Sequence, residues 1–474
     1  MKRKFAIKTV PSTWLEIEGR RLDCGPYMSG AIEARELLKK LSARKDYLQD
    51  LTKNGIAGIV NAGRISRIWV NGHDHGYPFL SSTDILQADL SNVSFIAKSV
   101  ARQSPQLLIK KHWTLITRSG SIGRMAYTRA DMDGMACTED VLRVIPDEDK
   151  VLPGYIYAYL STKFGIPLLT SGTYGSIITH LEPHHIAELP VPRLGAVEDR
   201  AHELIQQAAD LRVEAAAQIR AATDRFLLAS GLKDIPAHEW QEKSGRIGFA
   251  ASVTKVSLRA VNYIPLNLQL AEEVKSCSHK WKTLAEVTEP GTLRRGLRFK
   301  RIHADPEFGV ELIGQREGFN LVPKGRWIAK SFLPNDKLLF VPDGTIVVAS
   351  QGGLHETDSF ARCQFITGKT LRYVYSEHFL RVIANEEEIP RGALYAYLRS
   401  NIAFRLLRSC ATGSIQQDFH PELISELPVP IISKDEARAI DQMVRDSYRK
   451  YDQAIDCEDQ ARALVERAIE EGGR

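Results

Sequence analysis

The sequence predicts a mixed α/β (α+β) fold in which two tandem copies of one domain are separated by two long, antiparallel, coiled-coil-like helices. Three observations predict it. A 39-residue stretch occurs twice, 238 residues apart; strand-like runs precede both occurrences; and a long heptad-like run follows each. A chain of 474 residues has room for roughly two to four domains. Its 43% hydrophobic and 26% charged residues are typical of an ordinary globular protein.

The duplication is visible in the amino-acid sequence itself. The stretch "GYIYAYLSTKFGIPLLTSGTYGSIITHLEPHHIAELPVP" (154–192) aligns without a gap with "GALYAYLRSNIAFRLLRSCATGSIQQDFHPELISELPVP" (392–430), and 18 of the 39 positions are identical. The same offset carries upstream to "LRVI", at 142–145 and 380–383. Solenoid repeats span roughly 20–50 residues. A period of 238 therefore indicates a duplicated domain.

The elements follow the same order in both copies. Strands are expected in "YPFLSSTDIL" and "WTLITRSGSIG" of the first copy, and in "GVELIGQ", "KLLFVP" and "TIVVASQGG" of the second. One helical run follows in each, "PGYIYAYLSTKF" or "RGALYAYLRSNIAFRLL". Because proline lacks a backbone donor and favours an extended residue before it, "ELPVP" is expected to end a strand and begin a stiff exit.

A long helix is predicted after each "ELPVP". Apolar or small residues recur at nearly heptad spacing through 196–231 and 434–471, and Glu458 breaks the second series. Each helix could cover only its own domain, but ordinary helices average about 11–12 residues. We therefore favour two helices that pack on each other. Isologous association of the copies would make them antiparallel, with a pseudo-two-fold axis. Such a rod of about 34 residues spans about 50 Å.

Basic charge is concentrated in both copies. The span 91–130 and the segment "GTLRRGLRFKRIH" (291–303) contain no Asp or Glu, and "RISRIWV" (64–70) faces "RFKRIHA" (298–304). Such runs are often only solvated faces. Lys and Arg would neutralise phosphates, while polar loop side chains would read base edges of DNA. The candidate DNA-binding residues are Arg64, Arg67, Lys110, Lys111, Arg118, Ser119, Ser121, Arg124, Arg298, Lys300, Arg301, Gln351, His355, Ser414 and Gln416.

The candidate loops are "RSGSIGR" (118–124) and "ASQGGLH" (349–355), with "TYGSI" (173–177) and "ATGSIQQDF" (411–419) as a second pair. Glycines between small polar residues let a chain approach a phosphate or a groove closely. Each loop also fits an ordinary hairpin or strand-to-helix turn, and that alternative stays open.

Catalytic signals are weak. "PDEDK" (146–150) has a Glu-x-Lys fragment like that of metal-dependent nucleases, and His73 and His75 of "GHDHG" lack further ligands at metal spacing. No Gly-x-x-x-x-Gly-Lys-Ser/Thr loop and no Asn/Asp-Pro-Pro-Tyr/Phe motif of an adenine methyltransferase occurs. We predict no catalytic residue and no metal site. A self-sufficient metal-dependent nuclease and a coiled-coil scaffold that binds no DNA remain the alternatives.

The cellular compartment is also predicted from composition. None of the six cysteines forms a Cys-x-x-Cys pair, so reduced, mostly buried thiols are expected. The opening "MKRKFAIKTVPSTW" has no apolar run of signal-peptide length, and no run approaches the roughly 18 apolar residues of a membrane span. The prediction is a cytoplasmic protein without a membrane partner.

Taken in order and twice over, "RSGSIGR", the "LRVI…YAYL" run, "TGSIQQ", "ELPVP" and the long helices resemble the specificity subunits of type I restriction-modification systems. The resemblance covers nearly the whole chain. It departs at "ASQGG" in the second copy and at "GSIIT" in the first. It implies target-recognition domain 1 at 1–194, spacer helix 1 at 195–232, target-recognition domain 2 at 233–432 and spacer helix 2 at 433–474.

The resemblance also implies a role and partners. Each domain would read one half of a bipartite double-stranded DNA target. The chain would be non-catalytic and would bind two DNA adenine methyltransferase (modification) subunits and, in the full complex, restriction/translocase subunits. S-adenosylmethionine, ATP and Mg²⁺ would act only in those partner subunits, and no cofactor is expected in this chain.

Overall fold

The computed structural model describes residues 7–17, 20, 24–171, 180–244, 248–253, 256–277 and 280–473. The described residues form two compact units. The first unit comprises Lys4–Val213 and Gln453–Arg474, and the second comprises Glu214–Asp452. The divisions fall inside the two long helices. The loop "TYGSI" (173–177) lies outside the described residues.

Short strands and helices alternate up to the end of the first long helix. The helices are α1 (Ser12–Ile17), α2 (Gly25–Met28), α3 (Ala31–Lys40), α4 (Lys98–Gln103), α5 (Pro153–Leu160), α6 (Gly165–Thr170), α7 (Pro183–Ala187) and α8 (Ala196–Ala229). The strands are β1 (Lys45–Tyr47), β2 (Ile59–Val60), β3 (Trp69–Val70), β4 (Gly76–Leu80), β5 (Ser94–Ala97), β6 (Thr114–Thr117), β7 (Met125–Tyr127), β8 (Ala136–Cys137), β9 (Val141–Val144) and β10 (Pro190–Pro192).

The rest of the chain has a similar order of elements. The helices are α9 (Ala237–Ser244), α10 (Pro265–Cys277), α11 (Arg391–Leu398), α12 (Asn401–Ser409), α13 (Pro421–Ser425) and α14 (Lys434–Gly472). The strands are β11 (Trp281–Thr283), β12 (Arg294–Arg295), β13 (Gly309–Ile313), β14 (Arg326–Ala329), β15 (Thr345–Ala349), β16 (Cys363–Ile366), β17 (Val374–Tyr375), β18 (Phe379–Val382), β19 (Ala411–Gly413), β20 (Gln417–Phe419) and β21 (Pro428–Pro430).

The main sheet has the same strand order in each unit. It is β2-β9-β6-β7 in the first unit and β12-β18-β15-β16 in the second, and every pair is antiparallel. Thr117 at the end of β6 pairs with Val141, and Ala349 at the end of β15 pairs with Phe379. The "LRVI" strands, β9 and β18, therefore lie at the same place in both sheets. Their side chains are buried on both faces.

A second sheet also repeats. In the first unit β4 pairs antiparallel with β5 and parallel with β8, and in the second β13 pairs antiparallel with β14 and parallel with β17. The parallel register matches as well, since Phe79 faces Ala136 and Leu312 faces Val374. Matching pairings across units that differ in sequence show that the duplication extends to the sheet topology.

"ELPVP" supplies a short strand in each unit. The Pro-Val-Pro residues form β10 and β21, which pair with β1 and β11, and their valines are fully buried. A tyrosine of "YAYL" secures each one, because Tyr397 Oη donates to Pro428 O at 2.7 Å and Tyr159 Oη donates to Pro190 O at 2.5 Å. The motif is therefore itself a strand, held by the preceding helix.

The long helices form as predicted, and they pack together. In the second unit Lys450 Nζ lies 2.8 Å from Glu214 Oε2, and the Ser447 hydroxyl donates to the carbonyl of Ala215 at 2.8 Å. Further along, Arg225 pairs with Glu436. In these contacts, partners further along α8 lie earlier in α14. The two helices are therefore antiparallel within this unit.

Each long helix contributes to two separate cores. The part of α8 before residue 214 and the part of α14 after residue 452 are buried in the core of the first unit, and the remaining parts are buried in that of the second. The heptad positions predicted to face inward are mostly buried. The buried ones are Ala201, Leu204, Ala208, Ala215, Ile219, Ala222, Phe226, Ala437, Ile440, Val444, Ser447, Ala454, Glu458, Ala461 and Val465.

Glu458, which breaks the heptad series, is buried in an ion pair. Only 5% of its side chain is exposed, and it pairs with Arg212, of which 7% is exposed. Arg462 lies 3.6 Å away and Tyr157 Oη lies 3.5 Å away. Burial would raise the pKa of Glu458, but the charge and hydrogen bond of Arg212 outweigh it and the pKa is lowered. The carboxylate is therefore ionised in the core of the first unit.

Two expected elements differ in the structure. The helical run is two helices in each unit, because α5 ends at Leu160 and α11 at Leu398 before a new helix begins. In the second unit Ser400 caps that new helix by accepting a hydrogen bond from Ala403 N. The predicted strand "KLLFVP" (337–342) is wrong, because the segment forms turns instead. No helix within the described ranges is long and apolar enough to cross a membrane.

Candidate nucleic-acid interface

The arginine segments, residues 64–70 in the first unit and 291–303 in the second, lie largely outside regular structure. Arg64 is exposed. Arg67 donates through Nη2 to Glu139 Oε2 at 2.9 Å, and its guanidinium lies 5.2 Å from the centre of the Phe79 ring. Both candidates are exposed, and Arg67 is also held by a carboxylate.

The second arginine segment likewise contains a candidate paired with a glutamate. Arg298 and Lys300 are exposed, whereas Arg301 Nη2 donates to Glu377 Oε2 at 2.5 Å. The segment passes close to a buried guanidinium, because a Cβ on Gly296 would lie 2.5 Å from Arg381 Nη2. A side chain at this position would displace the Arg381 guanidinium, which donates to buried carbonyls.

The loop 118–124 connects β6 to β7 in an antiparallel hairpin. An ordinary hairpin turn was the alternative that the sequence also allowed for this loop. Gly120 and Gly123 have φ of 67° and 82°, in the region that favours glycine. Arg118 is only 12% exposed and pairs with Glu182. The Ser119 hydroxyl donates to Asp140 Oδ1 at 2.8 Å. Arg118 and Ser119 therefore hold the loop in place.

Other candidates in the first unit are more open. Lys110, Lys111 and Ser121 are exposed, and Arg124 is half-buried. The Lys111 amide donates to Asp133 Oδ1 at 3.1 Å, which fixes the backbone and leaves the ammonium group at the surface. Lys110, Lys111 and Arg64 are thus the cations of this unit best placed to meet phosphates.

In the second unit the structure brings three candidates together. Gln416 Nε2 lies 3.5 Å from Gln351 Oε1, and the β19–β20 hairpin that carries Ser414 and Gln416 joins the Gln351 loop where Gln417 N donates to Gly352 O at 2.9 Å. Ser414 and Gln416 are exposed on either side of Ile415, which is 95% exposed. These amides and hydroxyls form a polar edge suited to base recognition.

His355 lies apart from that edge. Its backbone amide donates to Asp358 Oδ2 at 2.9 Å, and its side chain lines a cavity of about 620 Å³ together with Trp240 and Arg405. Gln315, which was not among the candidates named from the sequence, supports the polar edge instead. Gln315 accepts a hydrogen bond from Gln351 N at 3.1 Å and donates to Gln351 O. Its position at the end of the predicted strand "GVELIGQ" was the available signal.

The ion pairs of the arginine segments perturb their carboxylates. Burial raises the pKa of Glu139 and Glu377, but hydrogen bonds from their own backbone amides and from Arg67 or Arg301 outweigh it, so both pKa values are lowered. Both glutamates are therefore ionised at neutral pH, and each pair is nearly neutral overall.

The residues considered as possible metal ligands do not form a metal site within the described part of the chain. Asp147 of "PDEDK" pairs with Lys150 at 3.1 Å. The described part of the chain contains no group of three or more His, Cys, Asp or Glu side chains that could hold a metal ion. The six cysteines, all of them among the described residues, form no disulfide, and four of them are buried.

Comparisons with known proteins give matches among solved structures. No protein-family model and no curated protein matches the chain. The S subunit of a type I restriction-modification system from M. genitalium aligns at 13% identity over 91% of this chain and 96% of its own, with a TM-score of 0.31. The HsdS subunit from Thermoanaerobacter tengcongensis aligns at 11% identity over 90% and 96%, with a TM-score of 0.27.

A third match comes from a structure described as showing complex assembly and conformational transition of the type I restriction-modification system. It aligns at 11% identity over 90% of this chain and 97% of its own, with a TM-score of 0.26.

Proposed function

We propose that this chain is the DNA sequence-specificity subunit of a type I restriction-modification complex, and that each unit reads one part of a bipartite double-stranded target. The observation that carries the proposal is the repeated site. Each unit places an arginine segment beside a loop that leaves the end of the same sheet strand, and the side chains of the two loops differ. A repeated scaffold with different loops is suited to reading two different sequences.

The complex proposed here assigns the chemistry to other chains. Two adenine methyltransferase subunits would use S-adenosylmethionine, and restriction subunits would use ATP and Mg²⁺. This chain would be a non-catalytic, cytoplasmic subunit with target-recognition domains at 1–194 and 233–432, and α8 and α14 would separate the two recognition sites. These assignments are what the resemblance to the type I specificity subunits implies, and the resemblance is carried by the motifs "RSGSIGR", "LRVI…YAYL", "ELPVP" and the long helices.

Methylome sequencing tests the proposal. Cells would express the full chain with the methyltransferase encoded beside it, and control cells would lack only this chain. We expect one split motif with modified adenine and a fixed gap, present only with the chain. A single unsplit motif would contradict the bipartite model, and an unchanged methylome would contradict the role in specificity.

A DNA-retention assay separates the proposal from a scaffold that binds no DNA. Charge reversal at the exposed Arg64, Lys110, Arg298 and Lys300 should abolish retention, because phosphate contacts dominate affinity. Arg220→Glu and Arg438→Glu, exposed positions on α8 and α14, are the matched controls. Retention that survives the first set favours the scaffold. Cutting of plasmid by the purified chain with Mg²⁺ favours the nuclease instead.

A further inference from the structure

Each unit contains a short turn before its "LRVI" strand, residues 138–140 in the first unit and 376–378 in the second, which we call the bridging turn. On one side it holds the arginine segment. Glu139 accepts from Arg67 at 2.9 Å, and Glu377 accepts from Arg301 at 2.5 Å. The glutamates occupy equivalent positions, two residues before the strand in both units.

On its other side the bridging turn holds the start of the candidate loop. The carbonyl of Asp140 accepts from Arg118 N at 3.0 Å, and the carbonyl of His378 accepts from Ser350 N at 2.9 Å. These bonds use backbone atoms, so they do not depend on which side chains the loop carries. The arginine and the loop are thereby fixed relative to each other in both units.

A fully buried arginine supports each bridging turn from below. Arg381 donates to the carbonyls of Ser376 at 2.9 Å, Phe379 at 2.6 Å and Tyr375 at 2.6 Å. Arg143 donates to the carbonyls at the equivalent positions, 138, 141 and 137. Neither side chain has measurable exposure. The turn is therefore rigid before any ligand arrives, which lowers the entropy cost of binding.

The carboxylate decides what Arg67 and Arg301 can bind. A phosphate placed on either guanidinium would lie beside Glu139 or Glu377 and be repelled, and the near-neutral pair would release few counterions. A base edge carries no net charge. The pair engages Nη2 of an arginine that has five N–H donors, and the arginine fork matches the O6 and N7 acceptors of guanine in the major groove. Arg67 Nη2 also donates to the Thr138 hydroxyl at 3.1 Å, so a guanine would replace that longer bond to complete the fork.

We infer, resting on the proposed function, that Arg67 and Arg301 each read the major-groove edge of a guanine, and that Glu139 and Glu377 are positioning residues that hold them for it. Both half-sites then contain a G·C pair at the equivalent place. The phosphate contacts fall to the exposed cations, among them Arg64 and Lys110 in the first unit.

The test uses the full chain in complex with its methyltransferase, binding duplexes that carry the methylome motif or one changed base pair, over a series of salt concentrations. Arg67→Lys keeps the charge and loses the fork. We expect discrimination at one G·C pair of one half-site to fall roughly tenfold, with an unchanged salt dependence. Arg301→Lys should do the same in the other half-site only.

Two further variants sharpen the assignment. Glu139→Gln keeps the shape and frees Arg67 from the carboxylate, so discrimination at the same base pair should fall while the salt dependence steepens. Lys110→Ala is the matched control for a phosphate contact. It should weaken binding to all duplexes alike and reduce the salt slope by about 0.9.

The inference is overturned if Arg67→Lys leaves discrimination intact at every base pair, or if the variant weakens all duplexes equally. Thermal unfolding of each variant shows whether the fold is retained, and Glu139→Gln answers the question independently of Arg67→Lys. Failure of the proposed function looks different, because the unsubstituted complex would then recognise no motif.

Discussion

The loop after β6 in the first unit and the loop after β15 in the second leave equivalent strand ends with different side chains. The first begins with Arg118 and Ser119, and the second with Ser350 and Gln351. Both are nevertheless held by the same backbone hydrogen bond to the bridging turn. Loop side chains can therefore change while the supporting structure stays constant, because the support uses carbonyls, amides and a buried guanidinium.

The cores around the long helices differ more deeply. The first unit buries the Arg212–Glu458 ion pair between α8 and α14, whereas the second unit buries the hydroxyl of Ser447 against the Ala215 carbonyl. Breaking a buried ion pair leaves a charge without compensation, while a lost neutral hydrogen bond costs far less. The two units should therefore respond unequally to substitutions at this interface.

The largest effect is expected from Arg212→Leu. It leaves the Glu458 carboxylate buried without the cation that lies nearest to it, with Arg462 3.6 Å away and the Tyr157 hydroxyl 3.5 Å away. The free energy of unfolding should therefore fall by about 3–5 kcal/mol. Urea unfolding measures it. Ser447→Ala, the matched change in the second unit, should cost about 1 kcal/mol. Arg212→Leu combined with Glu458→Leu should recover most of the loss, and a double variant as unstable as the single one would contradict this explanation.

Arg143→Met and Arg381→Met are expected to cause smaller losses of stability, which should be equal in the two units. Each removes the donors for three buried carbonyls, so each should lower the free energy of unfolding by about 2–3 kcal/mol. Hydrogen exchange should show increased opening of the bridging turn in the substituted unit alone. Unequal losses would mean that the two turns are not equivalent supports.

Tyr159→Phe and Tyr397→Phe should each cost about 1 kcal/mol, because each removes one hydrogen bond to an "ELPVP" proline carbonyl and little volume. Chemical unfolding of the two variants compares the units at their most similar feature. A difference well above 1 kcal/mol between them would show that the strands β10 and β21 are not held in the same way.

The smallest expected effect is on how the stability of the protein depends on pH. Since the pKa values of Glu139 and Glu377 are lowered in the folded protein, their stabilising contribution is complete above the unfolded pKa of about 4.3 and is lost as the pH falls through the folded values. Stability measured from pH 7 to pH 3 should therefore fall less steeply in Glu139→Gln and Glu377→Gln. An unchanged slope would contradict the ion pairs.

The sequence predicted features whose signal is local or repeated. The long helices follow from heptad spacing, and the helix and "ELPVP" strand follow from the 39-residue repeat. The break at Ser400 was missed because the apolar pattern continues across it. The prediction of a strand in "KLLFVP" was wrong because a run of apolar residues alone does not show whether a partner strand lies beside it.

The site was only partly predictable for a physical reason. Arg67 and Glu139 are 72 residues apart, and no local pattern shows that one neutralises the other. The burial of Glu458 likewise depends on Arg212, which is 246 residues away. The exposed Lys110 and the paired Arg67 were both named as candidate DNA-binding residues, because amino-acid composition does not separate an exposed cation from one paired with a distant carboxylate.

The division of α14 between two cores has a consequence for biosynthesis. Ala454, Cys457, Ala461, Val465 and Ile469 are buried in the core of the first unit. At roughly 5–20 residues per second, a ribosome that has finished residue 213 needs roughly 12–50 s to reach them. The unit encoded first is therefore completed last, and its unfilled core must avoid aggregation until the final helix emerges.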